Sequence, residues 1–553
     1  MNRHAVSAAI LLSLSVAYSA AGAGAAEPAF DEIALEFPDK ALDRIPVDVD
    51  DDGLLDLVWI FHPVDDPEAF GLRTCLQGSV PRFSACSQLD LPDETRAFDV
   101  APLDAEPGAE LVLLTRSGAL RSSFRHGAFG APVALPGVRS ALGDTDSVVP
   151  QALRFLFDLD GDGRAEAVLA TRGGIDLHHF LADGSLRTET LASPSHVEIA
   201  RHRRELDLSA FLGRSYVPHV TTHTTTPAIF VQDLDADGRT DIATIAQNRL
   251  RIFAQDATGA FPSAPTAEIE RSVITPAEKE SGFAGEALTF AELDGDGIID
   301  LIVLEWGSSE ERTQMDRHVF LGRRGWEFPE TADQIIRSES FFPNFEIRDL
   351  NGNGRKDLVV PYFHFAPSQA LKVATQNALR IQLRLFLMGP DRRYAQDPGK
   401  AFAKVDRRIV LDYHVDVMGL VFGGEGRPSS FDPLLSLAHD FDGDGLPDLV
   451  VDDGDDHLDF YWGNPDARYA KRPDLTLDRE SSLDSSVADL NGDGRADIVT
   501  AHGRRILGWA ESKEPERYAK TKRARKREAR RRARAGLPTP PEAETRIDVL
   551  LSR

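Results

Sequence analysis

Asp233-Leu234-Asp235-Ala236-Asp237-Gly238-Arg239-Thr240-Asp241 decides the fold of this chain. Carboxylates stand at positions one, three, five and nine, and glycine stands at position six. A hard divalent cation such as calcium takes six to eight oxygen ligands at ~2.3–2.6 Å. These side chains, with the backbone carbonyl of position seven, can supply most of that set. The glycine falls where the chain must turn back around the ion, with a φ that a Cβ disfavours. The run that follows, Ile242–Ile245, is apolar and rich in β-branched residues, so the loop leads into a buried strand.

The same nine-residue pattern recurs six more times. Read as ligands at positions one, three, five, seven and nine, the candidate calcium residues are Asp48, Asp50, Asp52, Leu54 and Asp56, then Asp158, Asp160, Asp162, Arg164 and Glu166. The quoted copy contributes Asp233, Asp235, Asp237, Arg239 and Asp241. Next come Glu292, Asp294, Asp296, Ile298 and Asp300, then Asp349, Asn351, Asn353, Arg355 and Asp357. The last two are Asp440, Asp442, Asp444, Leu446 and Asp448, and Asp489, Asn491, Asp493, Arg495 and Asp497. Leu54, Arg164, Arg239, Ile298, Arg355, Leu446 and Arg495 enter through their carbonyls alone. The loop resembles the first part of an EF-hand loop without its Glu at position twelve. The Asn351 copy keeps only two acidic ligands and should bind more weakly. An eighth, eroded copy, Pro102–Glu110, keeps Asp104, Glu106 and Glu110 but has Pro102 and Pro107 at positions one and six. Proline cannot take the turn that glycine takes, so no cation is expected there.

After each loop come a buried strand, a polar turn and two further strands. With the strand before the loop, each unit makes four short antiparallel strands. The shorter spacings between copies are roughly fifty to sixty residues, which suits a four-stranded propeller blade. Two spacings are longer and place insertions at Val197–His219 and Ala366–Asp432, the second with a helix expected at Pro367–Ala378. These loops resemble the FG-GAP/VCBS repeats of bacterial propellers and of the integrin α-subunit head. The resemblance covers about Phe30 to Glu511. It implies an all-β fold, a calcium-stabilised β-propeller; the repeat number gives eight blades, with seven as the alternative. Two segments compete to close the ring, Glu32–Phe37 and Arg546–Leu551.

The formal net charge is −27. A run from Lys513 to Arg534 holds twelve basic and three acidic side chains, which leaves about −36 on the remainder. So acidic a body argues against nucleic acid as partner. The basic run lies in an insertion over 512–545 that has no apolar face. It reads either as a solvated segment beside the acidic body or as a contact for an anionic surface. Residues 1–26 carry Arg3, an apolar run from Ala8 to Val16 and small residues near Ala23, the pattern of a secretory signal peptide. No later stretch approaches a membrane-spanning length. A periplasmic or extracellular location follows, and with it an oxidising setting in which Cys75 and Cys86, on neighbouring strands, are expected to form a disulfide.

Other motifs are weak. His219 and His223 are four apart but lack the glutamate of a zinc-protease helix, and their segment is β-branched. His178 and His179 fall on one strand, with one side chain expected to face in and one out. There is no G-x-S-x-G elbow, P-loop or dinucleotide fingerprint. The reading is a non-catalytic scaffold that binds a protein or a cell-envelope component. A carbohydrate-binding lectin is the alternative, with Trp306, Trp326, Trp462 and Trp509 as candidate sugar platforms, and a channel-site lyase or hydrolase ranks third.

Overall fold

In the computed structural model the described residues are 30–503 and 545–553, except 64–65, 67–68, 80–81, 145–148, 182–183, 202–219, 276–283, 309–312, 339–344, 363–377, 397–403, 415–433, 453–456 and 479–484. They form eight blades arranged as a β-propeller, each built on four antiparallel strands that in blades 1 to 7 pair in chain order. Blade 1 is Lys40–Val47, Asp56–His62, Gly71–Leu76 and Ala85–Asp90. Blade 2 is Thr95–Ala101, Glu110–Thr115, Gly118–Arg125 and Val133–Leu135, with two short additions. Blade 3 is Leu156–Phe157, Glu166–Ala170, Ile175–Phe180 and Leu186–Leu191, and blade 4 is Ala228–Gln232, Asp241–Ala246, Arg249–Phe253 and Ala267–Glu270. Blade 5 is Ala284–Ala291, Asp300–Ser308, Thr313–Phe320 and Gln334–Ser338. Blade 6 is Glu346–Arg348, Asp357–Tyr362, Ala378–Phe386 and Arg407–His414, and blade 7 is Leu434–His439, Asp448–Asp452, His457–Tyr461 and Leu475–Asp478.

Blade 8 closes the ring with both ends of the described chain. Ser485–Ala488 and Asp497–Gly503 are followed by Thr545–Ser552, and Phe30–Phe37 adds the outermost strand. The two segments expected to compete therefore pair with each other, Phe30 opposite Ser552 and Phe37 opposite Thr545. The chain then turns directly into blade 1. At that corner Asp39 accepts two hydrogen bonds from the buried Arg73 guanidinium, at 2.5 and 2.8 Å. Arg73 also lies over the rings of Phe37 and Phe61, 4.4 and 4.6 Å from their centroids.

The core is divided among the blade interfaces. Leu57, Trp59 and Phe61 pack against Phe37, Val549 and Leu551 across the closure, while Val58 and Ile60 pack toward Val100 and Leu111 of blade 2. Similar clusters fill the remaining six interfaces. A blade is thus covered on both faces, which is why each second strand is a continuous apolar run rather than an alternating one. The same geometry buries both His178 and His179, on opposite faces of their strand, instead of leaving one exposed.

Successive strands alternate in direction, so the connections divide between two rims. The nine-residue loops join first to second strands and share one rim with the third-to-fourth connections. The opposite rim receives the second-to-third connections and the links between blades. The chain enters and leaves that rim at Gly503 and Thr545, Leu191 and Ala228, His414 and Leu434, and Tyr362 and Ala378. The first of these gaps carries the basic run, which lies outside the described residues, as do residues 1–26. The second includes a separate hairpin, His196–Arg201 with Val220–Thr225.

Two expectations need correction here. Val197 and Ala200 belong to that hairpin, so the first insertion runs across the whole link from blade 3 to blade 4. The stretch Ala366–Asp432 is no single insertion, because it contains Ala378–Phe386 and Arg407–His414, two strands of blade 6. Ala378–Phe386 alternates polar and apolar residues, and both strands lie beside long connections, which obscured them. The helix expected over Pro367–Ala378 lies almost wholly outside the described residues, and Ala378 itself opens a strand.

Candidate metal centre

All seven complete loops adopt one backbone path. Glycine at position six has φ between +78° and +85°, from Gly354 to Gly494. Position four is also left-handed, a requirement that the sequence pattern did not disclose. Glycine occupies it in five copies, but Asp51 and Ala236 adopt φ of 64° and 60° there.

The four acidic positions do different work. Position one folds the loop: Asp48 accepts from the N–H groups of Asp51 and Gly53 at 2.8 and 2.9 Å, and Asp158 accepts likewise from Gly161 and Gly163. Position five accepts from the N–H of position seven, as in Asp52 with Leu54 and Asp444 with Leu446.

Position nine pins the loop to its blade. One oxygen accepts from the N–H of position two, Val49 to Asp56 at 3.0 Å and Phe441 to Asp448 at 2.7 Å. The other accepts from the end of the third strand, from Gln77, Gln255, Gly322, Met388, Gly463 and Ser552 in six copies, at 2.7–2.9 Å. Burial pushes the carboxyls of Asp56, Asp300 and Asp448 up to about 7, and those of Asp241, Asp357 and Asp497 up to about 6. The backbone donors pull in the other direction and do not cancel that cost.

Position three is buried or half-buried in six copies and exposed at Asp160. Asp50 and Asp235 each keep a buried carboxylate oxygen with no hydrogen-bond partner among the described residues. Burial raises both carboxyls, helped by the charges at positions five and one. In the loops of blades 1, 3, 4 and 5, single oxygens from positions one, three and nine lie within 4.8 Å of one another. An orphaned, buried carboxylate oxygen beside two further acids is a place a divalent cation fits.

Several loops present an arginine to their acids; in blades 3 and 4 it is the position-seven residue, Arg164 with Asp162 and Arg239 with Asp237. In the eroded copy Arg121 pairs with Asp104 and Glu110, and Arg125 reaches Glu110 at 3.4 Å. These arginines offset the charge of Asp104 and Glu110. In blade 5, Arg392 extends from blade 6 and pairs with Asp294 and Asp296. No local spacing announced that contact, since 96 residues separate Arg392 from Asp296.

The loops also link into a girdle. The position-eight N–H donates to the carbonyl at position one or two of the preceding loop: Ala109 to Val49, Ala165 to Pro102, Ile299 to Leu234, Lys356 to Leu293 and Ala496 to Asp440. Leu55 completes the ring by donating to Leu490 at 2.8 Å. Blade 7 has Pro447 at position eight, which has no N–H to give. At blade 4 the side chain of Gln255 donates to Leu159 at 2.9 Å instead.

Elsewhere, Cys75 and Cys86 form the expected disulfide between directly opposed residues of blade 1. His223 lies on the hairpin strand opposite Glu198, while His219 and Trp509 fall outside the described residues.

This loop and blade architecture defines the class of protein: an eight-bladed β-propeller. The family model described as "FG-GAP-like repeat" matches residues 233–303 and 440–500, each span running from a loop to the second strand of the following blade. No curated protein matches the chain. Among solved structures, an Agrocybe aegerita lectin that recognises non-reducing terminal N-acetylglucosamine is similar at 14% identity, over 68% of this chain and 86% of its own, with a TM-score of 0.34. The V. cholerae biofilm matrix protein Bap1 is similar at 12% identity, over 89% of this chain and 88% of its own, with a TM-score of 0.28.

Proposed function

We propose that this protein is an exported, calcium-stabilised scaffold that binds a protein or cell-envelope component and does no chemistry of its own. The observation that carries this reading is the division of labour between the rims. Every acidic loop lies on one rim, where its carboxylates serve the loop backbone and a cation. The two longest connections, between Gly503 and Thr545 and between Leu191 and Ala228, open on the other rim, where they can vary without disturbing the blades. A rigid ring that presents variable loops suits recognition, because little ordering cost is left for the moment of binding.

Two measurements test it together. Calcium added to metal-stripped protein should raise the melting temperature by mass action. Replacing residues 415–433 and 504–544 with short flexible linkers should abolish capture of the partner from envelope extract while leaving that calcium shift in place. Capture that survives those changes and removal of the 196–225 hairpin would move recognition away from this rim. A melting temperature indifferent to calcium would end the metal reading.

A further inference from the structure

Blade 5 holds a second group of metal-ligating side chains at the other end of its sheet from the acidic loop. Glu305 and Asp316 are directly opposed on its second and third strands. His318 lies two residues beyond Asp316, so all three side chains share one face. One ligand atom from each lies within 4.8 Å of the others. His318 Nε2 is 2.8 Å from a Glu305 carboxylate oxygen. The Asp316 side chain is only 6% exposed, against 13% for His318 and 33% for Glu305. The group thus runs from the buried Asp316 to the partly exposed Glu305.

We infer that Glu305, Asp316 and His318 form a binding site for a zinc-class divalent ion, separate from the calcium loops. Three arguments support it. The donor set differs in kind: an imidazole nitrogen with two carboxylates suits zinc, whereas calcium favours oxygen alone. The site stands apart, because Glu305 is five residues along its strand from Asp300, roughly 17 Å at the usual rise. It also answers a charge problem. Glu286 opposes Glu305, which opposes Asp316, and like charges facing each other across a sheet destabilise it. Ser272 and the N–H of Val273 satisfy Glu286, and Arg337 lies 3.3 Å from one oxygen of Asp316. A cation held by Glu305, Asp316 and His318 would offset the repulsion between the two opposed carboxylates. Three protein ligands leave an open position for water or for a donor group on a partner, and the ligands project from two inner strands, which fixes their spacing.

The test is zinc titration of metal-stripped full-length protein in saturating calcium, followed by calorimetry and by metal content after gel filtration. One equivalent of zinc should bind. His318→Ala and Glu305→Gln should each weaken it at least tenfold while the calcium-dependent melting shift is retained. His223→Ala, on the separate hairpin, should leave it unchanged. Zinc lost with His223→Ala but kept in His318→Ala would place the ion elsewhere and overturn the proposal. So would wild-type protein that binds no zinc, in which case His318 and Glu305 are a hydrogen-bonded pair and nothing more. Should His318→Ala misfold, Glu305→Gln alone carries the comparison.

Discussion

Position nine of each loop is a buried acid whose burial works against its charge. In calcium-free protein the fold keeps Asp56, Asp300 and Asp448 protonated up to about pH 7. An unfolded aspartate ionises near 3.9. Between those values the folded state holds more protons, so stability falls as pH rises through about 4 to 7. Metal-stripped protein should therefore melt at a higher temperature at pH 5 than at pH 8. Calcium favours the ionised carboxylates and should narrow or invert that difference; calorimetry at the two pH values reads it directly. The arginines give a second prediction at this scale. Arg392→Ala should tighten calcium at the blade 5 loop by roughly fivefold or more, because the guanidinium it removes competes for the buried Asp294 carboxylate and the pair is worth about 1 kcal/mol or more. Among the loop ligands, Asp442→Ala should lose more calcium than Asn351→Ala, measured by titration of the two variants. Equal losses would refute the ranking by charge.

At the scale of the element, the Cys75–Cys86 bridge spans 11 residues of sequence. Loop-closure entropy over that span corresponds to about 3 kcal/mol. The double change to serine should lower the unfolding free energy by an amount of that order in a denaturant titration, and mass spectrometry without reductant should show the joined peptides. Much of each blade was legible beforehand, since an acidic nine-residue loop followed by an apolar run marks a first and second strand almost by itself. What hid the rest was distance and ambiguity. Blade 6 was obscured because its third strand, Ala378–Phe386, alternates polar with apolar residues and follows a long link. Leu156–Phe157, the first strand of blade 3, is two residues long and has no pattern to read. The loop acids were visible as a set, yet their separate roles were not, because the hydrogen bonds donated by Gln77 or Ser552 depend on where the third strand ends. One hint was present: the eroded copy lost its glycine and its first acid but kept Glu110, as a structural pin would require.

For the whole molecule, stability depends on the closure between blades 8 and 1. Arg73 and Asp39 are buried there together, their side chains 3% and 6% exposed. Asp39→Ala would strand a buried guanidinium and should cost about 3–5 kcal/mol. Replacing both partners with apolar residues should cost much less, and chemical denaturation of the two variants separates these outcomes. The outermost strand of blade 8 has a consequence in time as well as in space. Asp31 and Arg553 pair across 522 residues of sequence. Contacts so distant are entropically slow to form. The clasp should therefore be the last event of folding, after the intervening blades have stacked, and its release the first event of unfolding. Until the final strand has been synthesised, the earliest strand has no partner, and the nascent chain passes through an open arc whose two exposed edges are the places where a chaperone, a protease or a second copy could take hold.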